Sequence, residues 1–121
     1  MSIESELYTN RVVQIKLSFF DTAGEEKYHA VTACHYRNAK GTIIVYDVCN
    51  RSSFENVKVW LNDTKQLATK DCVILLLGNK NDVDNTNKSI REVSTQEGFD
   101  FAVQNNITFF EVSALENANI E

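Results

Sequence analysis

Residues 42–48 read TIIVYDV, and this continuous apolar run of branched side chains decides the fold class. A second run of the same kind, CVILLL, occupies residues 72–77. Strands of a parallel sheet have this composition because helices cover both of their faces. We therefore expect two neighbouring strands of a parallel sheet, each covered on both faces.

The segment between these two runs has the pattern of a helix. Its apolar side chains recur at helical spacing, at Phe54, Val57, Trp60, Leu61, Leu67 and Ala68. Ser52 and Glu55 stand three residues apart and predict a capping box at the start of this helix. Ser94 and Glu97 repeat that spacing and predict where a second helix starts.

Two further segments predict strands. Residues 13–19 alternate apolar and polar side chains, which is the period of a half-exposed strand, and this strand is expected to end at Phe20. Residues 9–11 would form the turn of a hairpin whose first strand is short or cut off. Residues 107–112 form one more apolar run. This order of strands and helices predicts an α/β fold with a parallel sheet and helices on its faces.

Composition excludes several classes of function. A net charge of −5 without a run of Lys or Arg argues against a nucleic-acid-binding surface. The first ten residues lack the basic and apolar segments of a secretory signal, and the longest apolar run, residues 73–77, is too short to span a bilayer. Cys34, Cys49 and Cys72 lie far apart without CxxC spacing, which favours reduced structural thiols over a metal site.

Polar motifs follow three of the predicted strands, at the edge where parallel sheets bind ligands. The first motif is DTAGE, residues 21–25. A carboxylate directly after a strand, here Asp21, can hold a hydrated divalent cation. Gly24 lets its backbone N–H approach a phosphate with no side chain in the way. This motif therefore predicts contact with a cation and a phosphate.

The other two motifs, NKND and VSAL, suit a guanine base. The carboxylate of Asp82 can accept hydrogen bonds from the adjacent N1–H and amino group of guanine. Asn79 and the stem of Lys80 would tie down the loop and cover the ring. Ser113 and Ala114 follow the last predicted strand, where a backbone N–H can meet the guanine carbonyl. Adenine has neither those donors nor that carbonyl, so it would leave buried polar groups unpaired.

Together, and in this order, the three motifs resemble those of a small GTPase of the Ras superfamily, and residues 27–61 resemble a Rab protein nearly position for position. The resemblance covers residues 7–121. It implies an incomplete doubly wound, mostly parallel α/β sheet of the P-loop NTPase type, in a single truncated small-GTPase domain over residues 1–121. It also implies binding of GTP and GDP with Mg²⁺, slow GTP hydrolysis, and a switch in vesicle-mediated transport.

The same resemblance implies partners and a location. The partners are exchange factors, GTPase-activating proteins and effector proteins. The location is cytoplasmic, at the cytosolic face of endomembranes in a full-length form. Membrane attachment would occur only through a lipidated tail that this chain lacks.

The resemblance assigns roles to individual residues. Asp21 would hold Mg²⁺ through water, and Gly24 would sense the γ-phosphate. The base-binding positions would be Asn79, Lys80, Asp82, Ser113, Ala114 and Leu115. Leu115 stands where the family prefers a lysine, and a leucine can still cover a base face.

Glu25 departs from the family, which has a glutamine there to orient the attacking water. A glutamine amide both accepts and donates hydrogen bonds, whereas a carboxylate only accepts them. Hydrolysis is therefore expected to be slow. In an alternative interpretation the position has drifted because nothing is catalysed here.

The chain also contains no GxxxxGK[ST], the motif that cradles the phosphates. The switch threonine, the first strand and first helix, and the last helix and tail of the family are missing as well. We expect an exposed apolar sheet face, and a chain that does not fold autonomously into the family structure. Two hypotheses stay open: the greater part of a Rab-like GTPase, or a non-catalytic pseudo-GTPase that binds nucleotide weakly or not at all and serves at most as a protein-binding module.

Overall fold

The computed structural model describes residues 2–9, 11–21, 36–80, 90–115 and 119. The chain divides into two compact units, residues 1–35 and residues 36–121. Over the described residues, the first unit contains a two-stranded sheet and the second a three-stranded sheet. That the whole chain forms a single domain stays a prediction.

The first unit is built on an antiparallel hairpin. Strand β1, Ser2–Thr9, pairs along its whole length with β2, Arg11–Ser18. Thr9 pairs with Arg11, the two residues that flank the centre of the predicted turn. The expectation of a short or cut-off first strand is wrong, because β1 has eight residues and forms a ladder as long as β2.

The second unit carries the predicted parallel sheet. Its strands are β3, Gly41–Asp47, β4, Val73–Asn79, and β5, Thr108–Glu111. They lie in the order β3-β4-β5, and both pairings are parallel. This sheet and its helices confirm the predicted α/β fold class.

Within the described residues, two helices pack against these strands. Helix α1, Arg51–Leu67, lies between β3 and β4 in sequence, and α2, Thr95–Asn105, precedes β5. Within the described ranges, no helix combines the length and the apolar character that a membrane span requires.

The two predicted capping boxes have different outcomes. The prediction at Ser94 is confirmed, because its hydroxyl accepts from the Glu97 N–H at 3.2 Å and its own N–H donates to the Glu97 carboxylate at 2.9 Å. The prediction at Ser52 is wrong. Helix α1 is capped two residues earlier by Asn50, whose side-chain oxygen accepts from the Ser53 N–H at 3.2 Å.

One face of the sheet is packed against the helices. The buried core comprises Ile44, Tyr46, Val48, Val57, Leu61, Leu76, Val93 and Ala102. Tyr46 is the largest fully buried side chain, and its ring lies 4.9 Å from that of Phe54. Gly98 of α2 passes so close that an added Cβ would lie 2.5 Å from the Tyr46 Oη. A side chain at position 98 would therefore displace the centre of the core.

The opposite face of the sheet is exposed at its two outer strands, β3 and β5, and half-buried at Leu75 and Leu77 of β4. Ile43 and Val45 of β3 are 49% and 56% exposed, and Phe110 of β5 is 54% exposed. The expectation that both faces are covered is therefore wrong for β3, while the expectation of an exposed apolar sheet face is met. That the chain does not fold autonomously into the family structure stays a prediction.

Candidate functional site

The carboxyl ends of the three parallel strands form one edge of the sheet in the second unit. We call this the carboxyl edge and define it by Asp47, Asn79 and Glu111. The register pairs Asp47 with Asn79, and Gly78 with Glu111, so the three strands end close together. Backbone hydrogen bonds continue beyond the ladder, from the Val48 N–H to the Asn79 carbonyl at 3.1 Å. Two of the predicted motifs begin at this edge.

Asn79 joins these two motifs. Its side-chain oxygen accepts a hydrogen bond from the backbone N–H of Ala114 at 3.3 Å, across 35 residues of sequence. The Val112 N–H donates to the Gly78 carbonyl at 2.8 Å, one residue before Asn79. The loop after β4 and the loop after β5 are therefore tied together by both backbone and side chain.

Lys80 turns away from β4 in an unusual backbone conformation. Its φ of 70° lies in the left-handed region, which L-residues other than Asn and Asp seldom adopt. Its ammonium forms an ion pair with the carboxylate of Asp47, on the neighbouring strand. The side chain of Lys80 is 55% exposed and that of Asp47 is 25% exposed. This ion pair therefore lies at the surface of the carboxyl edge.

Hydrogen bonds fix both the carboxylate and the backbone of Asp47. Its Oδ1 accepts from the Cys49 N–H at 2.8 Å, and its own backbone N–H donates to the Ser53 hydroxyl oxygen at 3.0 Å. Burial opposes ionisation, but hydrogen bonds from Lys80 and from the Cys49 backbone outweigh it, so the pKa of the Asp47 carboxyl lies below its usual range. Asp47 is thus a fixed anion beside Lys80.

The motif after β5 has one buried and one exposed end. Ser113 is fully buried, whereas the Leu115 side chain is 86% exposed. Ala114 lies between them and is the residue bonded to Asn79. At the junction of the two loops, the motif after β5 thus contributes a backbone N–H and Asn79 contributes its side-chain oxygen.

A largely buried ion pair stabilises the strand end that precedes this motif. Arg91 pairs with the carboxylate of Glu111, and these side chains are only 11% and 12% exposed. Arg91 also donates to the Val93 carbonyl at 2.7 Å, and the Thr95 hydroxyl donates to the same carboxylate at 3.1 Å. The Asn119 amide donates to the Glu111 carbonyl at 2.9 Å. The end of β5 is therefore fixed just before the loop starts.

Sequence reasoning missed both ion pairs. Asp47 is the next-to-last residue of the run that predicts β3. The NKND motif that follows the second run was a usable signal for its partner, because neighbouring parallel strands end at the same edge. Arg91 and Glu111 offered no comparable signal, because they lie 20 residues apart and belong to no motif.

The predicted cation ligand lies in the first unit. Asp21 follows β2 and is exposed. Within the part of the chain that the structure describes, no three His, Cys, Asp or Glu side chains are grouped so that they could hold a metal ion. One exposed carboxylate fits a hydrated Mg²⁺, which keeps several waters and takes only one or two protein carboxylates. The other predicted site residues, Gly24, Glu25 and Asp82, lie outside the described residues.

The sequence is similar to known proteins of one family. The protein-family model described as "Ras family" matches residues 3–121 of the chain. "GTP-binding protein ypt3" of Schizosaccharomyces pombe is 42% identical over 124 residues, which cover 99% of this chain and 56% of that protein. "Ras-related protein Rab-11B" of Dictyostelium discoideum is 45% identical over 107 residues, which cover 88% of this chain and 47% of that protein. The chain spans about half the length of the curated relatives it matches.

Proposed function

Because this chain belongs to the Ras family, as a Rab-like small GTPase, we propose that it binds a guanine nucleotide at the carboxyl edge and hydrolyses GTP slowly, as a switch in vesicle-mediated transport. The observation that carries this proposal is the 3.3 Å hydrogen bond between Asn79 and the Ala114 N–H. It joins the two loops whose motifs suit a guanine base. The Schizosaccharomyces pombe relative is named a GTP-binding protein, which supports the proposal.

Base recognition is assigned to the loops after β4 and β5. Asp82 would accept hydrogen bonds from the guanine N1–H and amino group, and the stem of Lys80 would cover the ring. A backbone N–H of the Ser113-Ala114 segment would donate to the guanine carbonyl. Adenine reverses this pattern of donors and acceptors, so the carboxylate and the N–H would lose their partners.

The phosphate end is assigned to the DTAGE motif. Ras-family GTPases normally use Mg²⁺, and a bound Mg²⁺ neutralises the charge of the phosphate oxygens. Asp21, an exposed carboxylate, would hold that ion through a water molecule. The backbone N–H of Gly24 would donate to the γ-phosphate. This N–H would lose the γ-phosphate when GDP is bound, so the segment would distinguish GTP from GDP.

Glu25 would limit hydrolysis. A carboxylate at this position can accept a hydrogen bond from the attacking water but cannot donate one to the γ-phosphate. Its charge also repels the phosphate oxygens, and two unit charges about 4 Å apart repel by about 4 kcal/mol at an effective dielectric of about 20. Binding without measurable turnover would identify the chain as a non-catalytic GTP-binding protein.

The proposed switch acts through other proteins. Exchange factors, GTPase-activating proteins and effectors would distinguish the GTP form from the GDP form. The proposed location is the cytoplasm, including the cytosolic face of endomembranes.

A titration with a fluorescent GDP analogue tests the proposal, on purified protein whose cooperative urea unfolding first shows that it is folded. We expect binding that unlabelled GDP and GTP displace and that ADP and ATP do not. Asp82→Ala should abolish this preference, because it removes the acceptor for the two guanine donors. Asp84→Ala is the matched control, since it removes the same charge from the same loop. Absence of binding, or equal displacement by ADP, would overturn the proposed function.

A further inference from the structure

Asp47 is the anion that faces the lysine of the NKND motif, although it belongs to no motif itself. The register places it opposite Asn79, one residue before Lys80. Its carboxylate is oriented by the Cys49 N–H at 2.8 Å. The Ser53 hydroxyl that contacts its backbone donates in turn to the Asn50 carbonyl at 2.7 Å. Asp47 is therefore anchored to the first turn of α1, independently of the loop after β4.

The side chain of Lys80 is longer than that of Asp47 and more exposed, at 55% against 25%. A lysine stem has four rotatable bonds, and ordering them costs conformational entropy. Here the left-handed backbone fixes where the stem begins, and the ion pair with Asp47 fixes where it ends. The stem consequently lies along the carboxyl edge between the ends of β3 and β4.

We propose that Asp47 is a positioning residue for the nucleotide: it holds the ammonium of Lys80 so that the lysine stem is already in place to cover the base. This inference rests on the proposed function. It adds a residue outside the three motifs to the determinants of affinity. Its physical basis is preorganisation, because a stem ordered before binding does not lose its freedom on binding.

The test compares Asp47→Asn with the wild-type chain. We expect the fluorescent GDP analogue to dissociate about fivefold faster from the variant. This factor is at the upper end of the effects expected when a partly exposed ion pair is lost. Asp71→Asn is the matched control, because it removes an exposed carboxylate that precedes β4 at the other end of the strand. Its dissociation rate should equal that of the wild type.

A double-mutant cycle separates positioning from a general structural role. Lys80→Met keeps an apolar stem but loses the ion pair, so it should match Asp47→Asn. The combined variant should then dissociate no faster than either single variant. A nucleotide-free readout is the rate of reductive methylation of the Lys80 amine by formaldehyde with cyanoborohydride as the hydride donor. This rate should rise in Asp47→Asn and stay unchanged in Asp71→Asn.

The outcomes distinguish the two proposals. A wild-type chain that binds no guanine nucleotide overturns the proposed function and, with it, this inference. A wild-type chain that binds, while Asp47→Asn binds equally well, overturns only the positioning role. Tighter binding by Asp47→Asn would also overturn it, because the carboxylate would then compete with the nucleotide for Lys80. Additive effects of Asp47→Asn and Lys80→Met on the dissociation rate would also overturn the positioning role.

Discussion

Among the described residues, two ion pairs lie at the carboxyl edge, and they differ in exposure. The side chains of Arg91 and Glu111 are 11% and 12% exposed, whereas those of Lys80 and Asp47 are 55% and 25% exposed. Water cannot replace a lost partner in the first pair, but it can in the second. An ion pair can therefore serve two purposes at this edge. The pair of Arg91 and Glu111 stabilises the fold, and the pair of Lys80 and Asp47 remains accessible to a ligand.

The largest effect is expected from breaking the buried pair. Glu111→Ala leaves the Arg91 charge buried without its carboxylate, which should lower the free energy of unfolding by about 3 kcal/mol. Urea unfolding followed by the fluorescence of Trp60, the chain's single tryptophan, measures this in the second unit. Replacing Arg91 and Glu111 together by Met should recover most of the loss. A loss below about 1 kcal/mol for Glu111→Ala would show that the pair behaves like an exposed one.

The core beneath the edge gives the next effect. Gly98→Ala would place a Cβ 2.5 Å from the Tyr46 Oη, so we expect a loss of about 1–3 kcal/mol in the same urea experiment. Gly41→Ala is the control, because its added Cβ would meet its nearest atom, the Val73 carbonyl oxygen, at 3.7 Å. Equal losses for the two variants would contradict the close packing at Gly98.

Tyr46→Phe sharpens that result. The Tyr46 hydroxyl is buried and, within the described part of the chain, has no hydrogen-bond partner; burial raises its pKa to about 12. Adding Tyr46→Phe to Gly98→Ala should therefore restore part of the lost stability, since it removes the atom that the new Cβ meets. No recovery would assign the clash to Phe109, whose ring lies 2.7 Å from the same position.

A smaller effect on stability is expected at the junction of the two loops. Asn79→Ala removes the hydrogen bond to Ala114 and should cost about 1 kcal/mol in the free chain. It should also weaken binding of the fluorescent GDP analogue, because the loops after β4 and β5 separate. Asn56→Ala, at an exposed position of α1, is the control for both measurements. Unchanged binding by Asn79→Ala would remove the observation on which the proposed function rests.

The smallest effect concerns an exposed carboxylate and pH. Hydrogen bonds from Arg51 and from the Ser94 backbone lower the pKa of Glu97 from 4.5 to about 2. The stabilisation is therefore fully present above pH 4.5 and is lost as the pH falls through about 2. Urea unfolding at several pH values should show this loss in the wild type and not in Glu97→Gln. An unchanged pH dependence in Glu97→Gln would exclude this group as its source.

The sequence predicted those features that depend on local patterns. The apolar runs predicted β3 and β4, and the spacing of Ser94 and Glu97 predicted the start of α2. Competition between neighbours explains the error at α1, where Asn50 and Ser52 are both capable N-caps and only the tertiary structure selects the first. A continuous apolar run also cannot show which of its faces has a neighbour, so the exposure of Val45 was not predictable from the run alone.

In the candidate site, too, residues that belong to a local motif were predicted and a residue that depends on a long-range contact was not. Asn79 and Ala114 were predicted together because each belongs to a motif at a strand end. Asp47 was missed because its contact with Lys80 spans 33 residues and follows from the register of β3 against β4. Gly24 and Asp82 lie outside the described residues, so their roles stay predictions.

The most direct test of guanine-nucleotide binding at the carboxyl edge is the backbone amide NMR spectrum of the ¹⁵N-labelled chain with and without nucleotide. We predict that GDP shifts the amide signals of Lys80 and Ala114, the two positions joined to Asp47 and Asn79, and that ADP at the same concentration leaves them in place. Unchanged signals with GDP, or the same shifts with ADP, would contradict a guanine site at this edge.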